Sequence, residues 1–149
     1  MAYLLDTNIL ARLANSADAS NQSATDAVSE LHGRGEMLCI TAQNLIEFRS
    51  VATRPSTANG LGLELAIVEG KARAFEATFP LLPETPDIFP TWKSLVAAAG
   101  VVGKQVHDAR LVAVCHVHGV SHLLTFNTAH FARFAPIAPG LVPVDPDDV

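Results

Sequence analysis

Three acids sit among apolar neighbours. Asp6 ends the run Ala2-Tyr3-Leu4-Leu5, Glu47 lies within Leu45-Ile46-Glu47-Phe48, and Asp108 precedes Leu111-Val112. Burying an isolated carboxylate is costly, and several together raise one another's pKa unless a cation joins them. Two readings follow: a shared site that gathers a cation, or separate helix caps and ion pairs with Arg12, Arg49 and Arg110. Spacing alone leaves both open.

The elements that must position these acids alternate in type. Ala2–Leu5, Met37–Ile40, Leu81–Leu82 and His122–Thr125 read as short buried strands, and Leu141–Val144 as an edge strand that tolerates Pro143. Between them lie helical patterns. One is capped by Thr7-Asn8 and carries Ile9, Leu10 and Leu13; a second carries Ala24, Ala27, Val28 and Leu31. A third runs from a cap at Thr41 to about Ala52, and a fourth spans Leu63 to Phe79. Thr85-Pro86 opens a fifth, with Trp92, Leu95, Val96 and Ala99 inward. The sixth covers Val106 to His118, with His116 on the edge of its apolar stripe, and the last covers Asn127 to Phe134. Continuous apolar strands alternating with helices predict a three-layer α/β/α domain spanning 1–149, around a parallel sheet of four to five strands. In such sheets functional groups gather beyond the carboxyl ends of strands, where Asp6 and Asn127 fall.

The 149 residues are 49% hydrophobic and 17% charged, which excludes disorder, and no apolar run is long enough to span a bilayer. The first residues lack a basic region and meet Asp6 too early for a secretory signal. Cys39 and Cys115 lie in apolar segments and read as reduced thiols of a cytoplasmic protein. The net charge of −5 argues against coating nucleic acid through bulk electrostatics. Several acids are concentrated in the tail (Asp145, Asp147, Asp148) and at the candidate site, so the remaining body is near neutral and can accept nucleic acid locally.

Four ordered segments resemble the motifs of PIN-domain nucleases: Leu4-Leu5-Asp6-Thr7-Asn8, Asn44-Leu45-Ile46-Glu47-Phe48, His107-Asp108-Ala109-Arg110-Leu111 and Leu124-Thr125-Phe126-Asn127-Thr128. Their order fits from Asp6 to Phe134, and the likeness is greatest to bacterial toxins of the VapC type. The resemblance implies that Asp6, Glu47 and Asp108 converge in one acidic pocket. Oxygen ligands of this kind suit Mg²⁺ or Mn²⁺. Asp6 and Asp108 are then direct metal ligands, with Glu47 direct or acting through water, and Asn127 completes the catalytic set. Thr7, Asn8 and Thr125 orient those groups. The implied activity is metal-dependent hydrolysis of RNA phosphodiester bonds by an endoribonuclease, with a homodimer and a small antitoxin as partners. The helices around Ala66-Ile67 and Trp92-Leu95 are candidate docking faces. The chain departs from the pattern at Asn127 and His130, where relatives commonly place an acid, and this weakens a second metal site.

Arg12, Arg49, Arg54, Lys104, Arg110 and His130 are candidates to hold a phosphate backbone around the acids, with residues 54–60 as a rim. Zinc is disfavoured, because no closely spaced cysteine pair accompanies the histidines. Two other classes compete. A degenerate, non-catalytic PIN domain would bind RNA or protein without cleavage. A receiver-like domain would instead want its acceptor aspartate after a central strand that follows an initial acidic pair.

Overall fold

A computed structural model describes residues 1–149. Strand β1 (Ala2–Leu5) is followed by helices α1 (Thr7–Leu13) and α2 (Asn21–Gly33), then strand β2 (Met37–Cys39). Helices α3 (Ala42–Thr53), α4 (Leu65–Thr78), α5 (Ile88–Ala99) and α6 (Gln105–His118) precede β3 (His122–Leu124). Helix α7 (Thr128–Ala132) and strand β4 (Val142–Val144) complete the order. The fold is α/β, a four-stranded parallel sheet flanked by seven helices.

The strand order is β2-β1-β3-β4, with Leu4 opposite Cys39 on one side and Leu123 on the other. Successive side chains of a strand point to opposite faces, and β1 uses both. Tyr3 and Leu5 enter one core with Ile9, Leu10, Leu31, Phe48 and Phe79. Leu4 enters the other with Val112, Leu123, Phe131 and Phe134. Because α1 joins the first core and α7 the second, the chain leaves adjacent strands β1 and β3 toward opposite faces. That divergence opens a crevice beyond the carboxyl ends of the two strands.

Several local expectations shift. Asp6, not Thr7 or Asn8, caps α1: its carboxylate accepts from the Thr7 N–H. Thr41 does cap α3, in a reciprocal box with Asn44. Leu81–Leu82 forms no full strand but a single bridge to Ile40, flanked by Pro80 and Pro83, which lack N–H donors. Helix α5 starts at Ile88 rather than at Thr85-Pro86. His116 is exposed, and α6 is instead buried continuously from Leu111 to Cys115 between α5 and the sheet. Leu95 is buried and Trp92 half-buried, so they do not form an open face; the large apolar side chain that α5 exposes is Phe89. Cys39 and Cys115 are buried free thiols. No helix is long and apolar enough to cross a membrane.

Candidate active site

Asp6 ends β1 at the crevice and is only 7% exposed. Its Oδ1 accepts from the Thr7 N–H at 2.7 Å, and its Oδ2 accepts from the Thr125 hydroxyl at 2.7 Å and Asn8 Nδ2 at 3.3 Å. The Thr125 hydroxyl, having donated to Asp6, accepts from Asn8 Nδ2 at 3.2 Å and the Asn127 N–H at 3.0 Å. That uses its whole hydrogen-bonding capacity and fixes the oxygen in place. Residues from the ends of β1 and β3 are thereby joined.

Glu47 comes from α3, packed beside α1. Its Oε2 accepts from the Thr7 hydroxyl at 2.7 Å, so Thr7 serves Asp6 through its backbone and Glu47 through its side chain. Thr7 accepts in turn from Asn44 Nδ2 at 3.2 Å, which ties the site to the cap of α3. Gln43 supplies a third connection. Its amide donates to Glu47 Oε1 at 2.8 Å and to the His107 carbonyl at 2.9 Å, while its own oxygen accepts from Arg110 at 3.3 Å. Sequence reasoning did not single out Gln43 or Asn44. Their one available signal was spacing: Gln43 stands one helical turn before Glu47, within i, i+4 reach.

Asp108 lies in the first turn of α6, half-buried, and accepts no hydrogen bond. Its nearest basic partner is the His130 ring, with Nδ1 3.9 Å from Oδ2. Burial raises the Asp108 pKa, and the Glu47 charge adds to this against the opposing pull of His130, Arg133 and His107. Asp6 is pushed up to about 6, chiefly by burial and further by the negative charges of Asp108 and Glu47, despite the hydrogen bonds from Thr125 and Thr7. These acids therefore share one electrostatic environment.

All three line a single open cavity of about 890 Å³ with Thr7, Asn8, Gln43, Asn127 and His130. Of the cationic candidates, Arg12, Arg54, Lys104 and Arg110 line it as well. Arg12 is ion-paired with Asp18 at 3.2 Å and Arg110 with Glu84 at 2.6 Å. Arg49 does not line the cavity; it pairs with Glu69 of α4. Thr125 stays beneath the floor, fully buried.

A profile of the PIN domain matches residues 3–136, nearly the whole chain and every one of these positions. The chain is a member of the PIN-domain family. Among curated proteins, none matches the sequence. Solved structures resembling this PIN domain include a toxin–antitoxin complex from Klebsiella pneumoniae, at 24% identity and a TM-score of 0.66, with 99% of each chain covered. Another is VapBC2 from Rickettsia felis bound to a DNA fragment from its promoter, at 16% identity and a TM-score of 0.68, covering 97% of this chain and 98% of that one. VapC20 of Mycobacterium tuberculosis, a sarcin-ricin loop cleaving toxin, is 17% identical with a TM-score of 0.55, covering 81% and 86%. At these identities the PIN domain shares their fold.

The donor chemistry of the cavity suits a hard divalent cation. Asp6 Oδ1 accepts one hydrogen bond and has acceptor capacity to spare, while the Asp108 carboxylate accepts none and has only His130 near it, at 3.9 Å. Burial, with the acids' mutual repulsion behind it, raises the pKa of both Asp6 and Asp108, a cost that a bound cation would offset. As the side chains stand, no three His, Cys, Asp or Glu groups close on a common point at ligand distance. A hard cation therefore fits the donor set through fewer direct protein oxygens, as Mg²⁺ commonly does.

Proposed function

We propose that this PIN domain is a metal-dependent endoribonuclease, the toxin of a toxin–antitoxin pair, acting in the cytoplasm. The observation that carries this reading is the convergence of Asp6, Glu47 and Asp108 on one cavity that also presents cations. Asp6 and Asp108 would hold Mg²⁺ or Mn²⁺ directly, and Glu47 directly or through water. Such a cation, when bound, activates water and offsets charge developing on the phosphoryl oxygens. Thr125, Thr7 and Asn8 keep the Asp6 carboxylate in one orientation, and Gln43 with Thr7 does the same for Glu47. Asn127 and His130 offer an amide and an imidazole at the rim where relatives commonly place acids, which favours a single strong metal site over two. Arg12, Lys104 and Arg110 offset the acids so that a polyanion can enter. RNA as the substrate class draws on the VapC-like fold, as do a homodimer and a small antitoxin as partners.

The test compares the wild type with Asp6→Asn and Asp108→Asn on total cellular RNA, with Mg²⁺, Mn²⁺ or a chelator. Each substitution removes ligand charge at constant size and is expected to lower cleavage by roughly a hundredfold or more. Full activity in chelator, or in both variants, sinks the metal mechanism. A wild type that is inert on every RNA but binds one tightly establishes the non-catalytic reading instead.

A further inference from the structure

We infer that residues 54–62 form a rigid mount for Arg54, whose guanidinium grips a backbone phosphate of the substrate strand flanking the one cleaved; this rests on the phosphodiester reading above. Among the four cations of the cavity, Arg12 and Arg110 are already ion-paired, whereas Arg54 and Lys104 face no acid within ion-pair distance. Lys104 is exposed on a turn, but Arg54 is half-buried at the end of α3. Its one side-chain hydrogen bond is a long one, 3.5 Å to the Ser50 hydroxyl, which leaves most of its donors free. A guanidinium on a cavity wall with its donors uncommitted is suited to an anion with paired oxygens, as a phosphate is.

The backbone beneath it is unusually constrained for a surface loop. The Arg54 N–H donates to the Ser50 carbonyl at 3.2 Å, and the Arg54 carbonyl accepts from the Gly62 N–H at 2.8 Å. The Pro55 carbonyl accepts from both Ala58 and Gly60 N–H groups, at 2.9 and 3.0 Å. Leu61 and Leu63 then donate back to the Val51 and Ala52 carbonyls of α3, at 3.0 and 2.9 Å. Asn59 makes the turn at φ 60°, the one non-glycine residue with positive φ. Gly60 lies flat against Arg54: a Cβ there would stand 1.9 Å from the Arg54 carbonyl oxygen. Only glycine permits that approach, so the loop's glycine sets where the arginine stands.

Position along α3 assigns the phosphate. Glu47, Ser50 and Arg54 line the same cavity at i, i+3 and i+7, so Arg54 begins about 10 Å along the helix axis from the acidic centre. That separation suits a neighbouring phosphate and orients the strand across the acids.

The experiment uses the full chain and a labelled single-stranded RNA, measuring cleavage with Mg²⁺ or Mn²⁺ and binding by fluorescence anisotropy in Ca²⁺ at several salt concentrations. Arg54→Ala is expected to raise KM roughly tenfold with kcat nearly unchanged. It should also make the dependence of log affinity on log salt shallower by about 0.7. Arg54→Lys should restore the salt slope but only part of the affinity. Gly60→Ala, which keeps the arginine, should reproduce the Arg54→Ala defect. Unchanged KM and salt slope in Arg54→Ala overturn the proposal, and a folded Gly60→Ala with wild-type affinity overturns the mount. If the wild type cleaves nothing, the catalytic reading fails, and the anisotropy series alone decides the role of Arg54.

Discussion

Asp6 is a carboxylate that folding makes more basic, and its pH behaviour follows. Its pKa in the folded chain is about 6 against 3.8 for the free side chain. The folded state thus binds the proton more tightly, so the stabilisation from protonation is complete below about pH 4 and is lost as pH rises through about 6. Metal-free protein should accordingly gain stability on acidification from pH 7 to 5, and Asp6→Asn should remove part of that gain. The ceiling for this one group is about 3 kcal/mol. Thermal melts in chelator across pH 4–8 check it; identical pH profiles for wild type and Asp6→Asn would refute the burial cost. Cleavage should run the opposite way and fall on acidification, since proton and cation compete for the Asp6 carboxylate. At this scale the sequence showed the acids, and the family resemblance named Thr7, Asn8 and Thr125 beside them without saying which group each would hold. Asp6, Thr7 and Thr125 could be named as a group, yet nothing in the local pattern disclosed that the Thr125 hydroxyl crosses from β3 to Asp6.

Helices α3 and α6 carry acids from distant parts of the chain and are joined by one amide. Gln43 is 8% exposed and donates both of its N–H groups, one within α3 and one to the first turn of α6. Gln43→Leu keeps bulk but leaves Glu47 Oε1 and the His107 carbonyl without this donor, at an expected cost of about 1–3 kcal/mol. Cleavage at saturating RNA should fall about tenfold or more, because Glu47 and Asp108 lose their common reference. Melting temperature and kcat together decide this: reduced stability with an unchanged kcat would leave Gln43 a packing residue only. Strands β1 to β4 and helices α2, α3 and α6 were legible because their apolar runs are local features, as is the Thr41 cap of α3. The start of α5 was not, since Thr85-Pro86 offered the expected cap chemistry but Asp87 precedes the first helical residue. Nor was the reduction of Leu81–Leu82 to one bridge, which depends on prolines either side and on where Ile40 ends its own pairing. Arg49 likewise reads as a cation near Glu47 in sequence but turns toward α4, to Glu69.

For the molecule as a whole, the proposed dimer needs apolar surface, and α4 supplies it with Leu65 and Ile67 at 62% and 46% exposure. Phe89 of α5 adds another apolar projection at 63%. Sedimentation at micromolar concentration should show a dimer that Ile67→Glu shifts toward monomer; a wild type that stays monomeric counts against the association. The arrangement of the sheet also sets an order in time. Strand β1 lies at 2–5, but its neighbour β3 lies at 122–124 and the hydroxyl holding Asp6 at 125. Long loops must close before such pairings form, so they come late in folding. A nascent chain that has not yet reached Thr125 thus carries Asp6, Glu47 and Asp108 without the strand and hydroxyl that organise them. The cavity is therefore completed only once residue 125 has been made, however early in the chain its acids lie.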